Sequence, residues 1–131
     1  MQKFKQLLIL MVTCCISTLA QADTPKQSLL CAITEVAECE ILSGCIDVLP
    51  GQINLPPFIT IDFKNQEVHG NGRKEKISTI ESTEDGLILQ GIGEQHRAWS
   101  LILNNKQTNL TGSITGHEYS FTIFAVCKAD H

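Results

Sequence analysis

The chain has 131 residues, with 10 Lys+Arg against 14 Asp+Glu and a formal net charge of −4. That length accommodates one domain. The acidic balance excludes a nucleic-acid or anionic-lipid surface, which needs a basic face to release counterions, and the longest basic cluster, Arg73-Lys74-Glu75-Lys76, reads as a solvated turn or edge strand.

Residues 1–22 read as a secretory leader. Lys3 and Lys5 precede an apolar run from Leu7 to Ala20, and Ala20-Gln21-Ala22 supplies the small residues needed for cleavage after Ala22. The run is about 14 residues, short of the ~20 a membrane helix requires, so cleavage is expected and no membrane anchor remains. Lipidation at Cys14 or Cys15 is disfavoured, because Thr13 and Cys14 precede them where a small residue is usual. Loss of the leader removes Lys3 and Lys5 and leaves 8 cations against 14 anions, a balance of −6. Residues 23–28 form a flexible lead-in, and 29–131 form a single β domain.

Cys31, Cys39, Cys45 and Cys127 remain in an oxidising compartment, where four thiols allow three pairings. Cys39 and Cys45 flank the short loop Glu40-Ile41-Leu42-Ser43-Gly44 and are easily bridged. Cys31–Cys127 would then tie the first strand to the last, removing roughly 4–5 kcal/mol of unfolded-chain freedom by loop-closure entropy. The spacings suit neither structural zinc nor Cys-x-x-Cys redox chemistry.

Leu29 to Cys39 is ambiguous between a helix face (Leu29, Leu30, Ile33, Val36, Ala37) and a strand, and the β context that follows favours the strand. Residues 49–57 carry Pro50, Pro56 and Pro57, so a loop is expected there with no helix. Beyond Pro57 hairpins follow in series. Phe58 to Phe63 alternates, with Ile59, Ile61 and Phe63 on one face. Glu67-Val68-His69 leads to a break at Gly70-Asn71-Gly72. Ile77 to Ser82 meets Leu87 to Ile92 across Asp85-Gly86, a strong hairpin signal. Trp99, Leu101 and Leu103 share a face of the next strand, and Leu110 to Thr115 and Tyr119 to Cys127 complete the set.

These seven to nine short strands, with no crossover helix, predict an all-β fold: an antiparallel meander closed into a small barrel or curled into a sandwich, stapled by disulfides. Trp99, Phe63 and Phe121 are the candidate ligand-facing residues, should the barrel hold a cavity.

No catalytic, cofactor or metal site is expected. His69, His96 and His117 fall at predicted turns and His131 ends the chain, without metal-ligand spacing. Ser100 lacks the Gly-x-Ser-x-Gly context of a hydrolase. Gly70-Asn71-Gly72 and Gly91-Ile92-Gly93 lie between strands and cannot lead a phosphate onto a helix. Asp62 interrupts an apolar strand; it faces water or anchors Arg73 or Arg97. An enzyme would require Asp62, His96 and His117 to converge. Asn109-Leu110-Thr111 matches the glycosylation sequon, which matters only in a eukaryotic secretory pathway.

The ordered set Cys31…Glu38-Cys39…Cys45, Leu55-Pro56-x-Phe58-Ile-x-Ile-Asp62-Phe63, Leu87-Ile-Leu-Gln-Gly91…Trp99-Ser100-Leu101 and Phe121-x-x-Phe124-x-x-Cys127 resembles a group of small bacterial exported proteins with no assigned activity. The resemblance implies a periplasmic or secreted bacterial protein whose four cysteines form one framework. It carries over no catalytic residue. The expected function is a non-enzymatic binding module for an unknown protein or ligand. The alternatives are a barrel carrier of a small apolar ligand, or an inhibitor of a basic hydrolase such as lysozyme, attracted by the acidic surface.

Overall fold

A computed structural model describes residues 27–131; the leader, its cleavage site at Ala22 and most of the lead-in lie outside the described residues. Ten strands follow in order: β1 (Leu29–Glu40), β2 (Gly44–Asp47), β3 (Phe58–Asp62), β4 (Glu67–Gly70), β5 (Arg73–Lys76), β6 (Thr79–Ser82), β7 (Gly86–Ile92), β8 (Ala98–Asn104), β9 (Asn109–Thr115) and β10 (Tyr119–Ala129). They form one antiparallel sheet in the order β5-β4-β3-β1-β10-β9-β8-β7-β6, with β2 paired to β1 outside that path. The sheet curls into a half-barrel, as the meander pattern predicted.

The two ends of this sheet, β5 and β6, are consecutive in the chain. The backbone crosses between them at Ile77 and Ser78. Ile77 donates its N–H to Gln66 O at 2.8 Å, and Ser78 donates its N–H to Gln90 O at 2.7 Å, so this crossing ties the two edges at one point. The edge strands β5 and β6 are only four residues each, which limits the open edge the sheet presents.

Two-residue alternation fills the interior in layers. Leu103, Leu110 and Ala125 stand side by side on β8, β9 and β10; one layer on come Leu101, Gly112 and Ile123; beyond them come Trp99, Ile114 and Phe121. On β1, Leu29, Cys31 and Ile33 hold the inward phase, but Val36 is the next buried residue. A bulge between Ile33 and Glu35 makes this possible. The extra residue shifts the phase by one, so that an even-numbered side chain continues a wall begun by odd-numbered ones. The hydroxyl of Thr34, at the bulge, donates to Phe124 O at 3.1 Å. The same shift gives Leu29, Ile33, Val36 and Ala37 a helix-like spacing in the sequence.

The proline-rich segment differs from expectation in one detail. Pro50–Ile53 forms a single 3₁₀ turn. Pro50 opens it, where its fixed φ suits the turn and its missing N–H costs nothing. Between β4 and β5, Asn71 (φ 49°) and Gly72 (φ 72°) make a tight turn with both central residues left-handed, the geometry that matches strand twist.

Both disulfides join residues directly opposite one another: Cys31 and Cys127 in the β1–β10 ladder, and Cys39 and Cys45 in the β1–β2 hairpin. The first closes a separation of 96 residues, the second one of 6. Loop-closure entropy makes the second contribution roughly half the first. Replacing Cys31 and Cys127 together with Ala is therefore expected to cost about 2–5 kcal/mol in urea unfolding, and the Cys39/Cys45 double alanine about half that. Equal losses would show that closure length is not what sets their effect.

Candidate functional site

At the end of the half-barrel where β7 finishes and β8 begins, the interior does not fill. A cavity of about 110 Å³ opens there. Its inner wall is the outermost layer of the core, Trp99, Ile114 and Phe121, with Leu101, Ile123 and Ile59 one layer deeper. Ile53, Leu55 and Pro56, from the loop before β3, form the facing wall. Pro56 packs where β4 ends: a Cβ on Gly70 would lie 2.5 Å from its Cγ.

The space exists because glycine stands opposite the largest side chain. Gly91 on β7 faces Trp99 on β8. A Cβ at Gly91 would lie 2.3 Å from Trp99 Cζ2 and 2.7 Å from Lys76 O. The indole therefore rests on the Gly91 backbone. Trp99 is only 7 % exposed, and its Nε1 is buried without a hydrogen-bond partner among the described residues.

The rim is charged. Arg73, Glu75, Arg97 and His69 all line the cavity and are half-buried. Arg73 holds the facing wall: its Nη2 donates to Asn54 O at 2.7 Å, and its Nη1 reaches Glu94 Oε2 at 3.5 Å. Arg97 donates from Nε to Glu94 O at 3.2 Å. His69 Nε2 lies 2.9 Å from Glu67 Oε2. The Glu75 carboxylate sits against Gly93, where a Cβ would come within 2.7 Å of both its oxygens. The segment carrying Arg97 contains Gln95 (φ 59°) and His96 (φ 58°), two consecutive left-handed residues that are neither Gly nor Asn. Such backbone costs about 1–3 kcal/mol per residue and persists only where its surroundings fix it.

Of the aromatic candidates, Trp99 and Phe121 line this cavity, while Phe63 is buried at the opposite end of the sheet and does not. Arg73, Glu75, Arg97 and His69 were not read as neighbours from the sequence, because short strands and an irregular turn bring them together. Asp62 is not an anchor for Arg73 or Arg97. It opens the β3–β4 turn, accepting the Asn65 N–H at 3.0 Å and Asn65 Nδ2 at 2.7 Å. The Asn65 backbone bond, then its side-chain bond, hold the Asp62 carboxyl below the usual carboxylate range.

That turn lies at the end of the sheet opposite His96 and His117, so the three groups an enzyme would need do not meet. His69, expected at a turn, lies in β4. Ser100 alternates with the inward residues of β8 and pairs with Gln90 and Ser113 on its outer side. Among the described residues no group of three or more His, Cys, Asp and Glu could hold a metal ion, and no helix is long and apolar enough to cross a membrane.

No family model matches the chain, and comparison with curated proteins and with solved structures yields no match. The site therefore has to be read from its own geometry.

Gly91→Ala tests that geometry. The added methyl has no space between Trp99 and Lys76 O, so the variant is expected to lose about 1–3 kcal/mol in thermal or urea unfolding and to shift Trp99 emission. Unchanged stability and emission would mean that the indole does not rest on Gly91.

Proposed function

We propose that the protein is a non-enzymatic binding module, exported to the bacterial periplasm or exterior, whose site is the cup lined by Trp99 and Phe121. The single observation behind this reading is an unfilled, mostly apolar cavity at one end of the half-barrel. Two disulfides accord with maturation in an oxidising compartment.

Size limits the ligand. An engineered cavity of roughly 150 Å³ takes one benzene molecule; at about 110 Å³ the cup admits a group of about four or five carbons. It is too small for a long acyl chain.

Trp99 is the sole tryptophan, so its fluorescence reports the cup alone. Short branched alcohols and small hydrophobic metabolites are expected to shift its emission saturably and to raise Tm. Ile114→Phe, which fills the cup from β9, is expected to abolish both effects while the protein stays folded by circular dichroism. A panel without any saturable shift would end this reading.

A second reading, inhibition of a basic hydrolase, has its own observation. The β1–β2 hairpin, closed by Cys39–Cys45, presents Ile41 (67 % exposed), Leu42 (101 %) and Ile46 (63 %). Leu42 is held at φ 66°, unusual for a bulky residue. Every charged side chain from Gln27 to Phe63 is a carboxylate: Glu35, Glu38, Glu40, Asp47 and Asp62. An apolar tip ringed by negative charge suits a basic partner with an apolar cleft. Titration against lysozyme at low salt is expected to show binding that weakens with salt and falls at least tenfold in Leu42→Asp. Absence of binding at low salt removes the lysozyme version.

A further inference from the structure

The rim of the cup carries two opposite charges that the fold leaves unused. Arg73 is engaged with Asn54 and Glu94, and His69 with Glu67. Arg97 spends only its Nε, on Glu94 O, and its two terminal nitrogens have no partner among the described residues. The Glu75 carboxylate likewise has none. Both line the cavity, and both are placed by Gly93: Glu75 packs on its Cα, and its N–H donates to Arg97 O at 2.8 Å.

Although they share this corner, no ion pair within 4.0 Å joins them. Held apart, a free guanidinium and a free carboxylate can each take one charge of a single head group. Arg offers a planar fork suited to a carboxylate, and Glu75 accepts from an ammonium. The neighbouring charges offset each other, Arg73 with Glu94 and Lys74, at 3.8 Å, with Glu67. The site therefore has no excess of sign that would favour a simple anion or a simple cation.

Resting on the cup as the binding site, we propose that its ligand is a free α-amino acid with a small branched aliphatic side chain, the carboxylate taken by Arg97, the ammonium by Glu75 and the side chain by the pocket of Trp99, Ile114 and Phe121. A cavity of about 110 Å³ matches the four carbons of a leucine side chain better than a phenyl ring, given that the engineered cavity that takes benzene has a volume of roughly 150 Å³.

Calorimetry on the disulfide-bonded protein tests this with four probes of one shape. They are leucine, isocaproate (no ammonium), isoamylamine (no carboxylate) and isoamyl alcohol (neither charge). Leucine is expected to bind at least about tenfold more tightly than each of the others, the effect of one charge-assisted hydrogen bond at a half-buried rim. Arg97→Gln is expected to bring leucine down to the level of isoamylamine, leaving isoamylamine itself unchanged. Glu75→Gln is expected to bring leucine down to the level of isocaproate.

If isocaproate or isoamylamine binds the unaltered protein as tightly as leucine, the head-group assignment is overturned. If isoamyl alcohol binds and leucine does not, the assignment also falls while the cup remains a binding site. Silence from all four probes removes the cup reading itself.

Discussion

The β1–β10 ladder is the joint on which the molecule depends. On one side of it stand β3, β4 and β5, and on the other β9, β8, β7 and β6. Around the far side of the half-barrel the two arms meet through the crossing backbone at Ile77 and Ser78 and through contacts of β5 with the end of β7, Arg73 with Glu94 and Glu75 with Gly93. A sheet built this way has its longest-range contact, first strand against last, in its middle. Such contacts lose the most chain entropy on forming. The fully buried Cys31 faces Cys127 at the start of that ladder, where Cys127 sends its own N–H to Thr108 O on the β9 side. The covalent bond thus sits where chain closure is costliest, and the rest of the wall needs only local hairpins to form.

Once that joint is fixed, two glycines decide where the interior is solid and where it is hollow. Gly112 lies on β9 between Leu101 and Ile123, and a Cβ there would come within 2.6 Å of Leu101 Cδ2 and 2.8 Å of Ile123 Cγ1. The neighbouring side chains close over it, and that layer is filled. Gly91, one layer further along, receives the flat of the Trp99 indole instead. The largest side chain in the protein is thereby laid against the β7 wall and does not reach across to Ile53 and Leu55. Small-against-large alternation, an ordinary device for filling a curled sheet, here fills one layer and leaves the next open.

Much of this was legible in the residues. Alternation marked β3 and β8, Asp85-Gly86 marked the β6–β7 hairpin, and the short Cys39–Cys45 loop favoured its own bridge, because each signal is local and the structure does not override it; Cys31–Cys127 was preferred only as the pair that remained. Three features were not legible. The bulge at Thr34 turned a strand into an apparent helix face, since one inserted residue moves the inward set from odd to even positions. The turn at Pro50–Ile53 is too short to leave a periodic trace. The cup itself depends on which residues face each other across strands, Gly91 against Trp99 and Arg97 against Glu75 around Gly93. A single sequence shows neither pairing. Trp99 and Phe121 could be picked out as large aromatics on inward faces, but Phe63 met the same criterion and lies at the filled end.

The two ends of the half-barrel divide the labour of stability and recognition. At one end Phe63, Leu87 and Leu110 are buried. The left-handed residues of its turns, Gln66 and Gln107, are polar, the first exposed and the second half-buried, a cost that a tight turn between paired strands absorbs. At the other end lie the unpaired rim charges, the unpartnered Trp99 Nε1, the left-handed pair Gln95-His96 and the exposed Leu42 at the hairpin tip. None of these lowers the free energy of the isolated fold. Departures from local rules gather at one end, while at the other only the turn residues Gln66 and Gln107 show them. That distribution is expected where a region is shaped by what it contacts rather than by what it packs. The hairpin and the cup rise from the same end of one rigid, stapled sheet. A partner seated on the Leu42 tip and a ligand seated under Arg97 would therefore share a single face of the protein.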